Sequence, residues 1–285
     1  MTNAVISGRF KNAIQVHIVK NFSIKYSDTA PLILAIQGPP GEGKTFQCQK
    51  VFEQLNVKVY SLTPGQFESD SAGKPSEDLK KKYLEASQYF MKKREPVVLF
   101  INDLDLAIGH MTGDVQTTVN TWLLIGDIMG LADSPTLVDE KNTSRVPLVI
   151  TGNNFTKLHR PLLRPGRTRL FEWVPSDDEK QAVIQNIFPS LSEKDCIHLL
   201  SELRKRLALE HSDLSLPLSF FSSVKNNLLN SYIEEYIDSK GFGAAFDLAI
   251  EGSHIDLKIK TDYDVVLETA IQLIESGKAM NYLTA

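Results

Sequence analysis

The sequence predicts an α/β fold, a parallel sheet with helices on both faces, followed by a smaller α-helical domain. Two observations carry this. In the first 175 residues, short apolar runs bounded by turn residues alternate with segments of helical periodicity, the pattern of a parallel sheet covered on both sides. Beyond Pro175 the strand signal fades and helical segments follow one another. The expected domains are 1–175, α/β and ligand-binding, and 176–285, helical.

In order along the chain, Leu32–Ile36, Val57–Ser61, Val97–Ile101, Pro147–Thr151 and Arg169–Trp173 read as buried strands. Lys44–Leu55 brings Phe46, Val51 and Phe52 near one helical face, and Pro75–Phe90 carries Leu79, Tyr83, Ala86 and Phe90 at helical spacing. Asp114–Ala132 repeats the pattern with Val115, Val119, Trp122, Ile125 and Met129. Asp177–Ile187, Ser192–Leu207, Phe220–Asp238 and Tyr263–Ser276 read as helices, several opened by Ser or Asp. Gly241-Phe242-Gly243 and Gly252 mark turns.

Composition excludes several function classes. The net charge of -4 argues against a chain whose main partner is nucleic acid or an acidic membrane. Cys48 and Cys196 form neither a disulfide framework nor a metal-ligand spacing. Residues Met1 to Phe22 lack the apolar core of a secretory signal. The apolar stretch Trp122–Ala132 is broken by Asp127 and too short to span a bilayer. A soluble, cytoplasmic protein is expected.

The chemistry begins at Gly38-Pro39-Pro40-Gly41-Glu42-Gly43-Lys44-Thr45, between the first strand and the helix after it. Glycines let backbone N–H groups encircle phosphate oxygens, and the helix N-terminus adds a favourable field. Lys44 is expected on the β- and γ-phosphates of ATP, and the Thr45 hydroxyl on Mg²⁺. A second motif, Val97-Val98-Leu99-Phe100-Ile101, ends in Asn102-Asp103-Leu104-Asp105. Polar and acidic groups at the tip of a buried strand beside a phosphate loop suit Mg²⁺ and the orientation of an attacking water. Asn and Asp also favour strand-ending turns, the alternative reading of these residues alone. Asn102 and Asp103 are thus metal candidates, with Asp103 also catalytic. An amide oxygen at 102 is a weaker Mg²⁺ ligand than a carboxylate.

These motifs resemble the AAA+ class, a P-loop α/β domain followed by a helical lid. Phe100-Ile101-Asn102-Asp103-Leu104-Asp105 looks like the form of the acidic motif in the Rubisco activase family. So do Gly41-Glu42-Gly43-Lys44-Thr45-Phe46-Gln47-Cys48, Thr118-Val119-Asn120-Thr121, Arg145-Val146-Pro147 and Val149-Ile150-Thr151-Gly152-Asn153. The resemblance is close from 36 to 175 and thin in the helical domain. It implies a homo-oligomeric ring, usually hexameric, whose ATP hydrolysis remodels Rubisco to release inhibitory sugar phosphates. It also implies that Asn153 is the sensor that orients the water. Arg164 and Arg167, in Leu162-Leu163-Arg164-Pro165-Gly166-Arg167, are implied as fingers reaching a neighbouring subunit's nucleotide, which can contribute ~10³–10⁵ in rate.

The chain departs from that family at several points. Aligned through Phe220-Phe221, the second sensor arginine falls on Lys225, which keeps the charge and loses the planar fork, and another falls on Asn227. The first pore loop, Asp70-Ser71-Ala72-Gly73, has no aromatic residue, as in activases. In the second, Met111–Thr118, Thr117 matches the family's tyrosine. Trp122 and Leu123 replace polar residues and are expected in the core. A chain ending at Ala285 suggests a compact bacterial-type activase or a paralogue with another protein client, and Asn102 with Lys225 leaves a nucleotide-dependent scaffold as a third reading.

Overall fold

The computed structural model describes residues 4–63, 73–105, 119–210, 216–250 and 261–276. The chain divides into two compact units. Ile6–Pro39 with Lys44–Val174 make up the sheet unit, while Pro40–Gly43 group with Pro175 onward in the helical unit.

The sheet unit opens with helix α1 (Gly8–Phe22), capped by Ser7, whose side chain accepts the Phe10 N–H. Strands β1 (Ile33–Gln37), β2 (Lys58–Leu62), β3 (Val97–Ile101), β6 (Leu148–Gly152) and β7 (Thr168–Glu172) form one sheet of order β2-β3-β6-β1-β7. Every pairing is parallel. The two short strands β4 (Leu137–Val138) and β5 (Lys141–Asn142) pair separately as a hairpin.

Helices α2 (Lys44–Gln54), α3 (Lys74–Lys93) and α4 (Val119–Asp133) complete the covering layers. Because side chains alternate across a strand, each central strand feeds two cores. Ile33, Ala35, Leu99, Ile101, Leu148 and Ile150 pack with Leu79, Tyr83 and Ala86 of α3 and Leu124, Ile125 and Ile128 of α4. Leu34, Ile36, Val98, Phe100 and Val149 pack with Phe10 and Ile14 of α1 and Cys48, Val51 and Phe52 of α2. Burying each such large side chain stabilises the fold by roughly 1.5–3 kcal/mol. The outer strands β2 and β7 are more exposed and carry Lys58 and Arg169, charges that blunt a sheet edge.

The helical unit contains α5 (Asp177–Ile187), α6 (Glu193–Glu210), α7 (Leu218–Lys240), α8 (Phe242–Ile250) and α9 (Tyr263–Glu275). A capping box starts α5, with Ser176 and Glu179 each satisfying the other's backbone N–H. Ile184, Phe188, Leu199, Leu203, Phe220, Phe221, Val266 and Ala270 build its core.

Three expectations change. Residues 8–22, whose mixed polar and apolar sequence predicts no element, form a helix. Gly241, at φ 86, ends α7, and helix α8 begins at once where a turn was expected through Gly243. Trp122 and Leu123, expected in the core, are 49% and 44% exposed. They follow from a helix with apolar residues on every side; among its described side chains, the apolar ones that α4 buries are Leu124, Ile125, Ile128 and Leu131.

Candidate nucleotide-binding site

The β1 strand delivers the chain into the phosphate loop. Gly38 cannot be replaced there, because a Cβ would collide with the backbone carbonyl of Trp173. Trp173 is fixed by its own N–H, which donates to the Gln37 carbonyl at 2.6 Å. The loop ends at Lys44, the first residue of α2, which is only 6% exposed. Its ammonium donates to the carbonyls of Gly38 (2.7 Å) and Pro39 (2.9 Å) and to Asn153 Oδ1 (2.9 Å). The loop lysine and the asparagine at the end of β6 are therefore in direct contact.

At the tip of β3, Asn102 Oδ1 accepts from the Thr45 hydroxyl (2.7 Å) and the Thr151 hydroxyl (3.0 Å). Its Nδ2 donates to Asp103 Oδ2 at 2.7 Å. The Asp103 N–H donates to Thr151 Oγ1 at 3.0 Å, and its backbone is left-handed, at φ 49. Residues held in that region cluster at functional sites. Burial raises the Asp103 carboxyl above its usual range, and Asp105 adds to this while the Lys44 ammonium opposes it. Asp105 turns the other way. Its Oδ2 accepts the N–H groups of Asn153 (2.7 Å) and Asn154 (3.0 Å), and its buried Oδ1 has no hydrogen-bond partner among the described residues.

Thr45, Asn102 and Asp103 offer oxygen donors only, which fits Mg²⁺ better than softer metals. Among the described residues no group of three or more His, Cys, Asp or Glu could hold a metal. A cleft of about 340 Å³, lined in part by Thr45, Ser61, Thr63, Phe100 and Asn102, opens beside these donors.

A family model described as "ATPase family associated with various cellular activities (AAA)" matches residues 34–176. The chain belongs to the AAA ATPase family. Curated relatives carry the name ribulose bisphosphate carboxylase/oxygenase activase. One from Nostoc sp. is 35% identical over 245 residues, 83% of this chain and 57% of the relative. The chloroplastic protein of Phaseolus vulgaris is 34% identical over 244 residues, 83% of this chain and 53% of the relative. That of Arabidopsis thaliana is 30% identical over 285 residues, 96% of this chain and 58% of the relative. The chain spans somewhat over half the length of these relatives.

Within this AAA ATPase, the residues singled out in the sequence are distributed as follows. Lys44, Thr45, Asn102, Asp103 and Asn153 share one hydrogen-bonded cluster. Pro40, Gly41, Glu42 and Gly43 group with the helical unit, where Glu42 is buried. Arg164 is exposed at the end of the short 3₁₀ turn Arg160–Leu163. Arg167 donates to both carboxylate oxygens of Asp133, at 2.6 Å each, and to the Pro161 carbonyl at 2.8 Å. Lys225 is exposed on α7, one residue past buried Val224. The loop segments 64–72 and 106–118, with Thr117, lie outside the described residues. Among the described residues no helix is long and apolar enough to cross a membrane.

Two further residues belong to the site: Asp105, which holds the Asn153 and Asn154 N–H groups, and Thr151, whose hydroxyl bridges Asn102 and the Asp103 N–H; residue type and spacing alone do not assign these roles. For Thr151 the available signal is sheet register, since it pairs with Ile36 of the phosphate-loop strand; Asp105 lies past the end of β3, where strand alternation no longer applies.

Proposed function

We propose that this AAA ATPase hydrolyses ATP within a ring of its own copies and uses the energy to remodel Rubisco, freeing it of inhibitory sugar phosphates. The observation that carries the nucleotide chemistry is the Lys44–Asn153 contact at 2.9 Å beside the Thr45–Asn102–Asp103 donors. Lys44 holds three acceptors that phosphate oxygens can replace, so its charge is preorganised where negative charge develops. Asn153, fixed at its backbone by Asp105, aligns the attacking water, and Asp103 accepts its proton or holds it by hydrogen bond. Mg²⁺ held by Thr45, Asn102 and Asp103 would offset phosphate charge. Arg164 and Arg167 would act on the neighbouring copy's ATP, and Lys225 would contact phosphate from the helical domain. The activase names of the relatives support Rubisco as client.

A second reading keeps the motor and changes its client. Exposed Trp122 and Leu123, on a helix that carries polar residues there in the resembling family, favour it. The deciding experiment mixes this protein and ATP with Rubisco blocked by its sugar bisphosphate, following carboxylation and phosphate release together. Recovery that needs both ATP and Lys44 establishes the activase; hydrolysis without recovery, with Rubisco from the same source, points to another client. Absence of hydrolysis at every protein concentration overturns the motor.

A further inference from the structure

Glu42 lies in the middle of the phosphate loop, where an anion opposes phosphate binding by like-charge repulsion. It is nevertheless 2% exposed. Its Oε1 is 2.8 Å from the ammonium of Lys180 on α5, which is also buried and donates to the Leu216 carbonyl at 2.7 Å. Glu42 Oε2 accepts the Leu218 N–H at the start of α7, at 3.2 Å. The backbone follows the side chain. The Gly41 carbonyl accepts the Ser219 N–H at 2.9 Å. Gly41 is left-handed, at φ +76, and a Cβ there would meet Ser219 Oγ and Pro217. One buried ion pair and two backbone-directed bonds among the described residues tie Pro40–Gly43 to the helical unit.

We infer that Lys180 is a positioning residue for nucleotide binding: it neutralises Glu42 inside the phosphate loop and holds that carboxylate against the start of α7. The loop then offers its backbone N–H groups to phosphate with no competing free anion. The same pair makes the loop's shape depend on α5 and α7. This rests on the proposed binding of nucleotide by the loop. The chemistry is specific to the pair, because a buried charge tolerates loss of its partner far less than loss of both charges together.

The test measures dissociation constants for fluorescent ADP, with Mg²⁺, on the full chain. Binding by the wild type that Lys44→Ala abolishes establishes the loop as the nucleotide site; failure at that step removes the nucleotide reading itself and is visible before any Lys180 variant is made. Lys180→Met is expected to weaken binding at least roughly tenfold by removing the buried cation that pairs with Glu42. Adding Glu42→Gln to Lys180→Met restores affinity to within about threefold of wild type. A merely structural lysine predicts the opposite, a double variant as weak as the single one or weaker. Equal affinity of wild type and Lys180→Met overturns the inference, as does failure of the second substitution to rescue. If Lys180→Met alone does not fold, the double variant decides: affinity within about threefold of wild type supports the role of Lys180, and a larger loss overturns it.

Discussion

Asp133 at the end of α4 grips Arg167 through both carboxylate oxygens, at 2.6 Å each. The guanidinium draws the Asp133 carboxyl below its usual range, and the Arg167 proton is held more firmly in return. Two arginines that look equivalent in sequence are therefore in different situations. Arg164 is exposed, and Arg167 is already engaged within its own chain.

Arg164→Ala and Arg167→Ala should each retain ATP binding while slowing hydrolysis by roughly 10³-fold or more, if both act on a neighbouring copy. Only Arg167→Ala should also lower the melting midpoint, by the degree or two that about 0.5–1 kcal/mol represents for a partly exposed pair. Steady-state phosphate release and thermal melts separate the two. Full turnover in Arg164→Ala would remove it from the finger role.

Asp105→Ala removes the acceptor of the Asn153 and Asn154 N–H groups. ATP affinity should stay near wild type, because Asp105 acts on the Asn153 and Asn154 backbone and its loss leaves the Lys44 ammonium in place for phosphate. Hydrolysis should fall on the order of tenfold or more as Asn153 loses its alignment, since small misplacements are costly in the transition state. The kcat against binding split, by stopped-flow and titration, checks this.

Asn102→Asp replaces a donor to Asp103 by a second carboxylate at the same tip. Two acids at that separation cannot both ionise easily. The variant should need less Mg²⁺ for half-maximal hydrolysis and lose activity at a higher pH on the acid side than wild type does. A Mg²⁺ titration at several pH values reads both effects. An unchanged Mg²⁺ requirement would place the metal elsewhere.

His17 predicts the acid behaviour of the fold. Its Nε2 lies 3.0 Å from the Leu148 carbonyl, and burial lowers its pKa from 6.5 to about 3. The folded chain refuses a proton that the unfolded chain accepts below pH 6.5. This contribution to stability is thus complete above that pH and is lost progressively as pH falls toward 3. At pH 5 the loss is about 2 kcal/mol. His17→Gln should flatten that part of the stability-against-pH curve in urea melts.

The sheet was readable because its strands are unbroken apolar runs: Val97–Ile101 has no polar residue and all five side chains are buried. Helix α1 was not readable. Its buried face mixes His17 and Asn21 with Phe10, Ile14 and Ile18, and the polar pair is satisfied by partners far away in sequence, Leu148 and Arg145. In α4 the opposite happened. Apolar residues on all sides left periodicity unable to say that Leu124 is inside and Trp122 outside. At the site, the residues with fixed spacing were legible and their supports were not. Glu42 occupies a position the loop pattern leaves free, and its partner Lys180 is 138 residues away.

The chain holds two tryptophans, at opposite extremes of surroundings. Trp173 is 1% exposed, its carbonyl lies against Gly38, and the Arg9 guanidinium sits 4.6 Å above its ring. Trp122 is half in solvent and meets the His159 ring in a T-shaped contact. The protein therefore carries its own optical reporters. Blue-shifted emission from Trp173 would follow phosphates entering the loop beside it, while an iodide-quenchable, red-shifted signal from Trp122 would follow whatever covers α4. In Trp122→Phe the first signal stands alone, and nucleotide arrival can be timed without a label.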